Sequence, residues 1–157
     1  MTGVQTCALP IFLVHKEYAG DTRVRALPDQ LRQAFANLLT NAVQAMKGRG
    51  TLRLSTAAKE GDAIIRLSDS GTGIASQHLS KIFDPFFTTK GQGEGSGLGL
   101  TVARRIIRKF GGDIRIESIE GSGTTCIVTL PVLTSAPQEG SWSSSAPQSQ
   151  PQPSHSS

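Results

Sequence analysis

Asn37 and Asn41 stand one helical turn apart in a run whose apolar residues recur at helical spacing. Their amides therefore share one helix face, offset from the Leu31-Phe35-Leu38-Ala42 stripe, with Gln33 and Gln44 near the same edge. A carboxamide oxygen is a neutral hard ligand that suits Mg²⁺ beside phosphate groups; a solvated polar face is the plain alternative. Asp69-Ser70-Gly71-Thr72-Gly73 follows an apolar run directly. Its glycines permit a sharp turn and close backbone approach to a planar ligand. Asp69, at the end of the strand, offers a charged acceptor to an exocyclic amine such as that of adenine, a stronger bond than a neutral acceptor makes. A simple Asp-Gly turn is the alternative there.

Further on, Phe83-Asp84-Pro85-Phe86-Phe87-Thr88-Thr89-Lys90 places three of the six phenylalanines beside a glycine-rich run, Gly91 to Gly99. The expectation is a loop anchored by Phe83, Phe86 and Phe87 and free to close over a ligand. The run opens into a helix, where unpaired backbone N–H groups and the helix dipole favour phosphate, and Lys90 adds a point charge. A disordered linker would not normally lead straight into a helix as apolar as Leu98 to Phe110. The run is not a GxxxxGK[ST] phosphate loop. Gly95-Ser96-Gly97-Leu98-Gly99 follows no strand, so it also fails the context of a dinucleotide fingerprint.

The elements that must position these groups are legible from periodicity. Leu13 to Tyr18 predicts a first strand. Pro28 suits the first turn of a helix, which carries Leu31, Ala34, Phe35, Leu38, Leu39, Ala42, Ala45 and Met46 and stops at Gly48-Arg49-Gly50. Thr51 to Thr56 and Ala63 to Leu67 predict two strands around a turn at Glu60-Gly61-Asp62. Leu100, Val102, Ala103, Ile106, Ile107 and Phe110 mark a second helix stopped by Gly111-Gly112. Asp113 to Ser118 and Thr124 to Leu130 then read as a hairpin through Glu120-Gly121-Ser122-Gly123.

A length of 157 residues fits one domain with tails. Met1 to Phe12 does not read like the rest and resembles a translated sequencing adapter. A non-native or disordered leader is expected over 1–12, with the natural protein truncated there. The domain is expected over 13–133. Residues 134–157 are rich in Ser, Pro and Gln and lack Lys and Arg, so they are expected to be a disordered tail, with Trp142 solvated. The net charge of +4 suggests an anionic partner only in general terms. Without a dense basic run or basic–aromatic interleaving, no nucleic-acid partner is expected. Cys7 and Cys126 lie far apart and fit neither a zinc site nor a disulfide framework. No stretch approaches the ~20 apolar residues of a membrane span. The expected setting is cytoplasmic, without membrane insertion of this chain, although its parent protein can be membrane-anchored.

Taken together, Asn37-Leu38-Leu39-Thr40-Asn41-Ala42, Asp69 to Gly73, Phe83 to Lys90 and Gly95 to Leu100 resemble the N, G1, F and G2 boxes of the histidine kinase ATPase family. That family is related to DNA gyrase B, heat-shock chaperone and mismatch-repair ATPases. The boxes occur in family order, and the Phe83 to Lys90 wording is most similar to that of nitrogen-regulation and oxygen-sensing sensor kinases. The resemblance implies an α/β (α+β) two-layer sandwich of the Bergerat type, with a mixed, mostly antiparallel sheet of about five strands and three helices on one face. It implies ATP and Mg²⁺ as cofactors, Asn41 on the metal, and Asn37 and Lys90 assisting catalysis at the triphosphate. Asp69 would take the adenine amine. Gly71 and Gly73 would shape the adenine pocket, Gly95, Gly97 and Gly99 would hold the loop end against phosphate, and Ile74, Phe83, Thr89, Lys90, Ser96, Leu98 and Leu100 would also bind the nucleotide.

The related hydrolases carry a Glu one turn before the metal-binding Asn. Here that position is Asn37, which cannot act as a base at neutral pH. Slow hydrolysis is therefore expected, with the γ-phosphoryl group passing instead to a histidine on a separate dimerisation domain and, beyond it, to a response regulator. His15, His78 and His155 lack the helical His-Glu or His-Asp context of that acceptor, so no autophosphorylation is expected. Two alternatives stay open: a nucleotide-binding regulatory module without turnover, and a serine kinase of the anti-sigma type.

Overall fold

The computed structural model describes residues 11–20, 22–89, 91 and 95–133. Lys90, Cys7, Trp142, His155, most of the expected leader and the whole expected tail lie outside them. The elements run β1 (Ile11–Tyr18), α1 (Pro28–Ala45), β2 (Arg49–Lys59), β3 (Asp62–Asp69), α2 (Ser76–Leu79), α3 (Gly99–Lys109), β4 (Asp113–Ile119) and β5 (Gly123–Pro131). They form one five-stranded sheet in the order β1-β2-β3-β5-β4. β1 and β2 pair in parallel, as a β-α-β connection through α1 requires. The remaining pairs are antiparallel. This is the two-layer mixed sandwich that the sequence implies.

Local chemistry explains most boundaries. Pro28 starts α1, where its missing N–H would be unpaired in any case. Past the helix, Lys47 and Gly48 adopt positive φ and swing the chain into β2. Glu60 and Gly61 both take positive φ, the conformation of a tight two-residue hairpin, between the paired Lys59 and Asp62. α3 ends in a Schellman pattern: Gly112 N–H donates to the Ile107 carbonyl at 3.1 Å and Gly111 N–H to that of Arg108 at 3.0 Å.

All five strands exceed their expected bounds, β2 by the most. β2 runs from Arg49 to Lys59 because its backbone pairs along β1 and β3 beyond the alternating side chains. β1 begins at Ile11, inside the expected 1–12 leader, because Ile11 pairs with Arg49 and Phe12 packs against the core. The strand thus takes in Ile11 and Phe12 of the stretch expected as leader.

The core lies between the sheet and the two long helices. Ala34, Leu38 and Ala42 of α1 and Ala103, Ile106 and Ile107 of α3 face Leu52, Leu67, Ile114, Cys126, Val128 and Leu130 of the sheet. Burial pushes the Cys126 thiol up to about 12, so it serves as a small apolar side chain. Among the described residues no helix is long and apolar enough to cross a membrane. Ile107 is fully buried, whereas Ile119 is 70% exposed. Ile107→Ala is expected to cost about 2–5 kcal/mol in urea unfolding, while Ile119→Ala should stay within about 0.5 kcal/mol of the parent.

Candidate functional site

Close packing of α1 against α3 brings the first pair of candidate residues to the second. Asn37 and Asn41 are half-buried on α1. A Cβ placed on Gly99, the first residue of α3, would stand 3.9 Å from Asn37 Cβ and Asn41 Nδ2 and 4.0 Å from Asn41 Oδ1. The two amides thus lie beside the opening turn of α3. No side chain caps that turn, so its first N–H groups keep their hydrogen-bonding capacity. Neutral amide oxygens beside uncapped helix N–H groups make a surface fitted to a polyphosphate and the cation that travels with it. Gln33 and Gln44 of the same helix are exposed.

Asp69 is the last residue of β3 and is half-buried. Its Oδ1 accepts the Gly71 N–H at 2.8 Å, and the Thr124 backbone N–H of β5 also bonds to it. Burial raises the carboxyl above its ordinary pKa, and these two backbone donors partly oppose the shift. The turn after Asp69 is wedged between two elements. Gly71 is buried, and a Cβ there would lie 2.7 Å from Ala45 of α1. The Thr72 N–H donates to the Ala45 carbonyl at 3.1 Å, and the Thr72 carbonyl accepts the Gly121 N–H at 2.7 Å. Gly73 has φ +68, and a Cβ would run into the Ile119 carbonyl, so only glycine fits. Ile74 follows, its N–H held by Ser118 Oγ at 2.8 Å.

The phenylalanine segment is anchored differently from expectation. Phe83 packs against the core, and its carbonyl accepts the Thr101 hydroxyl of α3 at 3.0 Å. The Phe87 ring lies 5.5 Å from the His78 ring of α2. Phe86, expected to be part of the apolar anchor, is instead 74% exposed. Its φ of +66 turns the ring outward, and the backbone does the anchoring: Phe86 N–H donates to the Gly97 carbonyl at 3.0 Å. Gly97 also has positive φ, and a Cβ would stand 2.5–2.8 Å from the Phe86 backbone. The space that this glycine leaves open is therefore filled by Phe86.

Asn37, Asn41, Gly99 and Leu100 thus gather where α1 meets α3, and Asp69, Gly71, Gly73 and Ile74 gather at the turn beyond β3. Phe83 and Gly97 join the phenylalanine segment to α3, while Ser96 Oγ accepts the Leu98 N–H at 3.3 Å. Thr89 and Gly95 are exposed. Lys90 lies outside the described residues. Sequence reasoning missed Thr124, Ser118, Thr101 and Arg104. Ser118 Oγ joins Ile74 to the β4–β5 turn, donating to the Gly123 carbonyl at 2.9 Å. Only the register that sets Asp69 opposite Thr124 could have paired those two residues. An open cavity of about 440 Å³ lies against the turn, lined by Ala45, Met46, Ser70, Gly71 and Glu120 among others. It includes neither Asn37 nor Asn41 nor Asp69, so it flanks the site. Among the described residues no cluster of three or more His, Cys, Asp or Glu could hold a metal. A cation at Asn41 would need oxygens from its ligand, which is how Mg²⁺ commonly binds with phosphates.

A two-layer sandwich with an amide pair facing a helix N-terminus and a half-buried aspartate at a glycine turn defines a nucleotide-binding ATPase-type domain. Residues 26–134 match the family described as histidine kinase-, DNA gyrase B-, and HSP90-like ATPase. The catalytic domain of histidine kinase ThkA, in a nucleotide-free form, superimposes with a TM-score of 0.67 at 34% identity, covering 76% of this chain and 78% of that one. The chain belongs to this family, as a catalytic domain of the histidine kinase type. Sensor histidine kinase ZraS of Salmonella typhimurium is 46% identical over 114 residues, 71% of this chain and 24% of ZraS. The signal transduction histidine-protein kinase AtoS of Escherichia coli is 43% identical over 110 residues, 69% of this chain and 18% of AtoS. The chain thus spans about a quarter or less of these two relatives.

Because the folded pKa of Asp69 lies above its unfolded value, ionisation opposes folding. The penalty is absent below the ordinary carboxyl pKa and complete above the raised one. Asp69→Asn should therefore make the nucleotide-free protein more stable than the parent at neutral pH. Urea unfolding at stepwise lower pH should show this advantage shrinking to nothing through the carboxyl range. An advantage independent of pH would contradict the burial argument.

Proposed function

We propose that this chain is the ATP-binding catalytic domain of a two-component sensor histidine kinase, running from β1 to about Leu133. It transfers the γ-phosphoryl group of ATP to a histidine on a separate dimerisation domain, which then serves a response regulator. The observation that carries the proposal is the amide pair, Asn37 and Asn41, lying within van der Waals reach of the Gly99 position at the start of α3. In this reading Asn41 supplies one oxygen to Mg²⁺, with the remainder coming from phosphates and water. The α3 N-terminus faces the phosphates, and Asn37 and Lys90 assist there. Asp69 accepts the adenine amine, while Gly71, Gly73 and Ile74 form the pocket around the base. Thr89 and Gly95 to Leu100 enclose the phosphate end.

The division of labour follows from side-chain chemistry. Asn37 is an amide and takes no proton from water. The domain's contribution is to hold the triphosphate in line and neutralise charge around the group in flight. The nucleophile is an imidazole nitrogen of the partner: a P–N bond forms, the bond between the γ-phosphorus and the bridging oxygen breaks, and ADP leaves. The percent identity to the ZraS and AtoS kinases supports this over the serine kinase alternative.

Supplied in trans with a dimerisation and histidine domain from a related sensor kinase, the chain should transfer labelled γ-phosphate to that domain. The rate should be low without a covalent link to raise the effective concentration. The label should be acid-labile, as phosphohistidine is, and Asn41→Asp should abolish it. An acid-stable label would replace this proposal with the serine kinase reading.

A further inference from the structure

Arg104 lies within α3, well past the glycine-rich start of the helix, yet it connects three parts of the molecule. Its Nε donates to Asp113 Oδ1 at 3.0 Å and its Nη2 to Oδ2 at 3.4 Å, a two-point grip on the first residue of β4. The same guanidinium lies over the Phe83 ring, with Cζ 4.2 Å from the centroid. A planar cation can satisfy both contacts at once; the rigid fork meets the carboxylate and the flat face meets the ring. Arg108 grips the same carboxylate with the same pair of distances, but it is the Arg104 guanidinium that stacks on Phe83. The two differ in burial too: the Arg104 side chain is 28% exposed and that of Arg108 56%.

Phe83 matters because of what is attached to it. Its carbonyl takes the Thr101 hydroxyl from the first turns of α3. Three residues on, Phe86 N–H holds the Gly97 carbonyl, two residues ahead of the helix start. Phe83–Phe86 thus straddles the α3 N-terminus, bonded to the chain on both sides of Gly99. Gly99 is the residue set against Asn37 and Asn41.

We infer that Arg104 is a positioning residue for the phosphate end of the site, pinning Phe83 against α3 so that the helix start stays at the Asn37–Asn41 pair. The inference rests on the nucleotide reading of this site. It separates the two ends of the ligand: Asp69 and its turn are fastened through α1, β5 and Ser118, with no bond to Arg104. Loss of Arg104 therefore acts on the phosphates and spares the base.

The test is calorimetric titration of the parent chain and its variants with Mg-ATP and with adenosine, with melting curves recorded alongside. Arg104→Gln is expected to weaken Mg-ATP about tenfold, ~1.4 kcal/mol, with adenosine within about twofold of the parent. Arg108→Gln should leave both ligands within about twofold, although it removes an equivalent grip on Asp113. Arg104→Lys, which keeps the charge and gives up the planar face, should recover part of the loss. If Arg104→Gln does not fold, Arg104→Lys against Arg108→Lys makes the same comparison, with a Mg-ATP loss only in the former expected. Unchanged Mg-ATP affinity, equal losses in the Arg104 and Arg108 variants, or a parallel loss of adenosine would overturn the inference. A parent chain that binds neither ligand would overturn the nucleotide reading and this inference with it.

Discussion

The close approach of α1 to α3 is the constraint on which the rest of the site depends. Ala34 and Ala42 on one helix and Ala103 on the other are almost fully buried in the core that the two helices share with the sheet. Leu38, Ile106 and Ile107 fill the space between these helices and the sheet. With that separation set, the start of α3 falls beside the Asn37–Asn41 face. The polar half of the site is therefore a consequence of apolar packing one turn away.

The other half depends on the sheet. Antiparallel pairing sets Asp69 at the end of β3 opposite Thr124 at the start of β5, and the following turn is then gripped from both sides by Ala45 and Gly121. The carboxylate is held in a partly desolvated place, which raises its pKa and opposes folding. An acid there serves a ligand amine better than an amide would, since an ionised acceptor makes the stronger hydrogen bond. Asp113 is the counterexample: Arg104, then Arg108, hold its carboxyl well below the usual range, and it behaves as a fixed structural anion.

Much of this was legible in the sequence, and the reasons are local. Apolar spacing located both long helices, and Pro28 and Gly111-Gly112 bounded them, because helix signals act within a turn or two. The glycine turn after Asp69 was readable since its neighbours in sequence are also its neighbours in space. Thr124, Ser118 and Arg104 were not, because each acts through strand register or through the rotation of α3 against a distant segment. Phe86 shows a different failure. Its neighbours suggested a buried anchor, but a single positive φ reverses the direction of its ring. Backbone conformation at one non-glycine residue carries little sequence signal. The two-residue shift at β1 has a similar origin, since backbone pairing with Arg49 and Gly50 orders Ile11 and Phe12 whatever their side chains suggest.

The central claim is that apolar packing of two helices creates a site for a metal-bound polyphosphate. It is tested most directly by the Mg²⁺ dependence of ATP affinity in the parent and in Asn41→Ala. In the parent, ATP should bind more tightly with Mg²⁺ than with a chelator present, while adenosine should be indifferent to Mg²⁺. In Asn41→Ala the Mg²⁺ increment should largely vanish and adenosine affinity should be unchanged. An undiminished Mg²⁺ increment in Asn41→Ala would place the metal elsewhere and contradict the account.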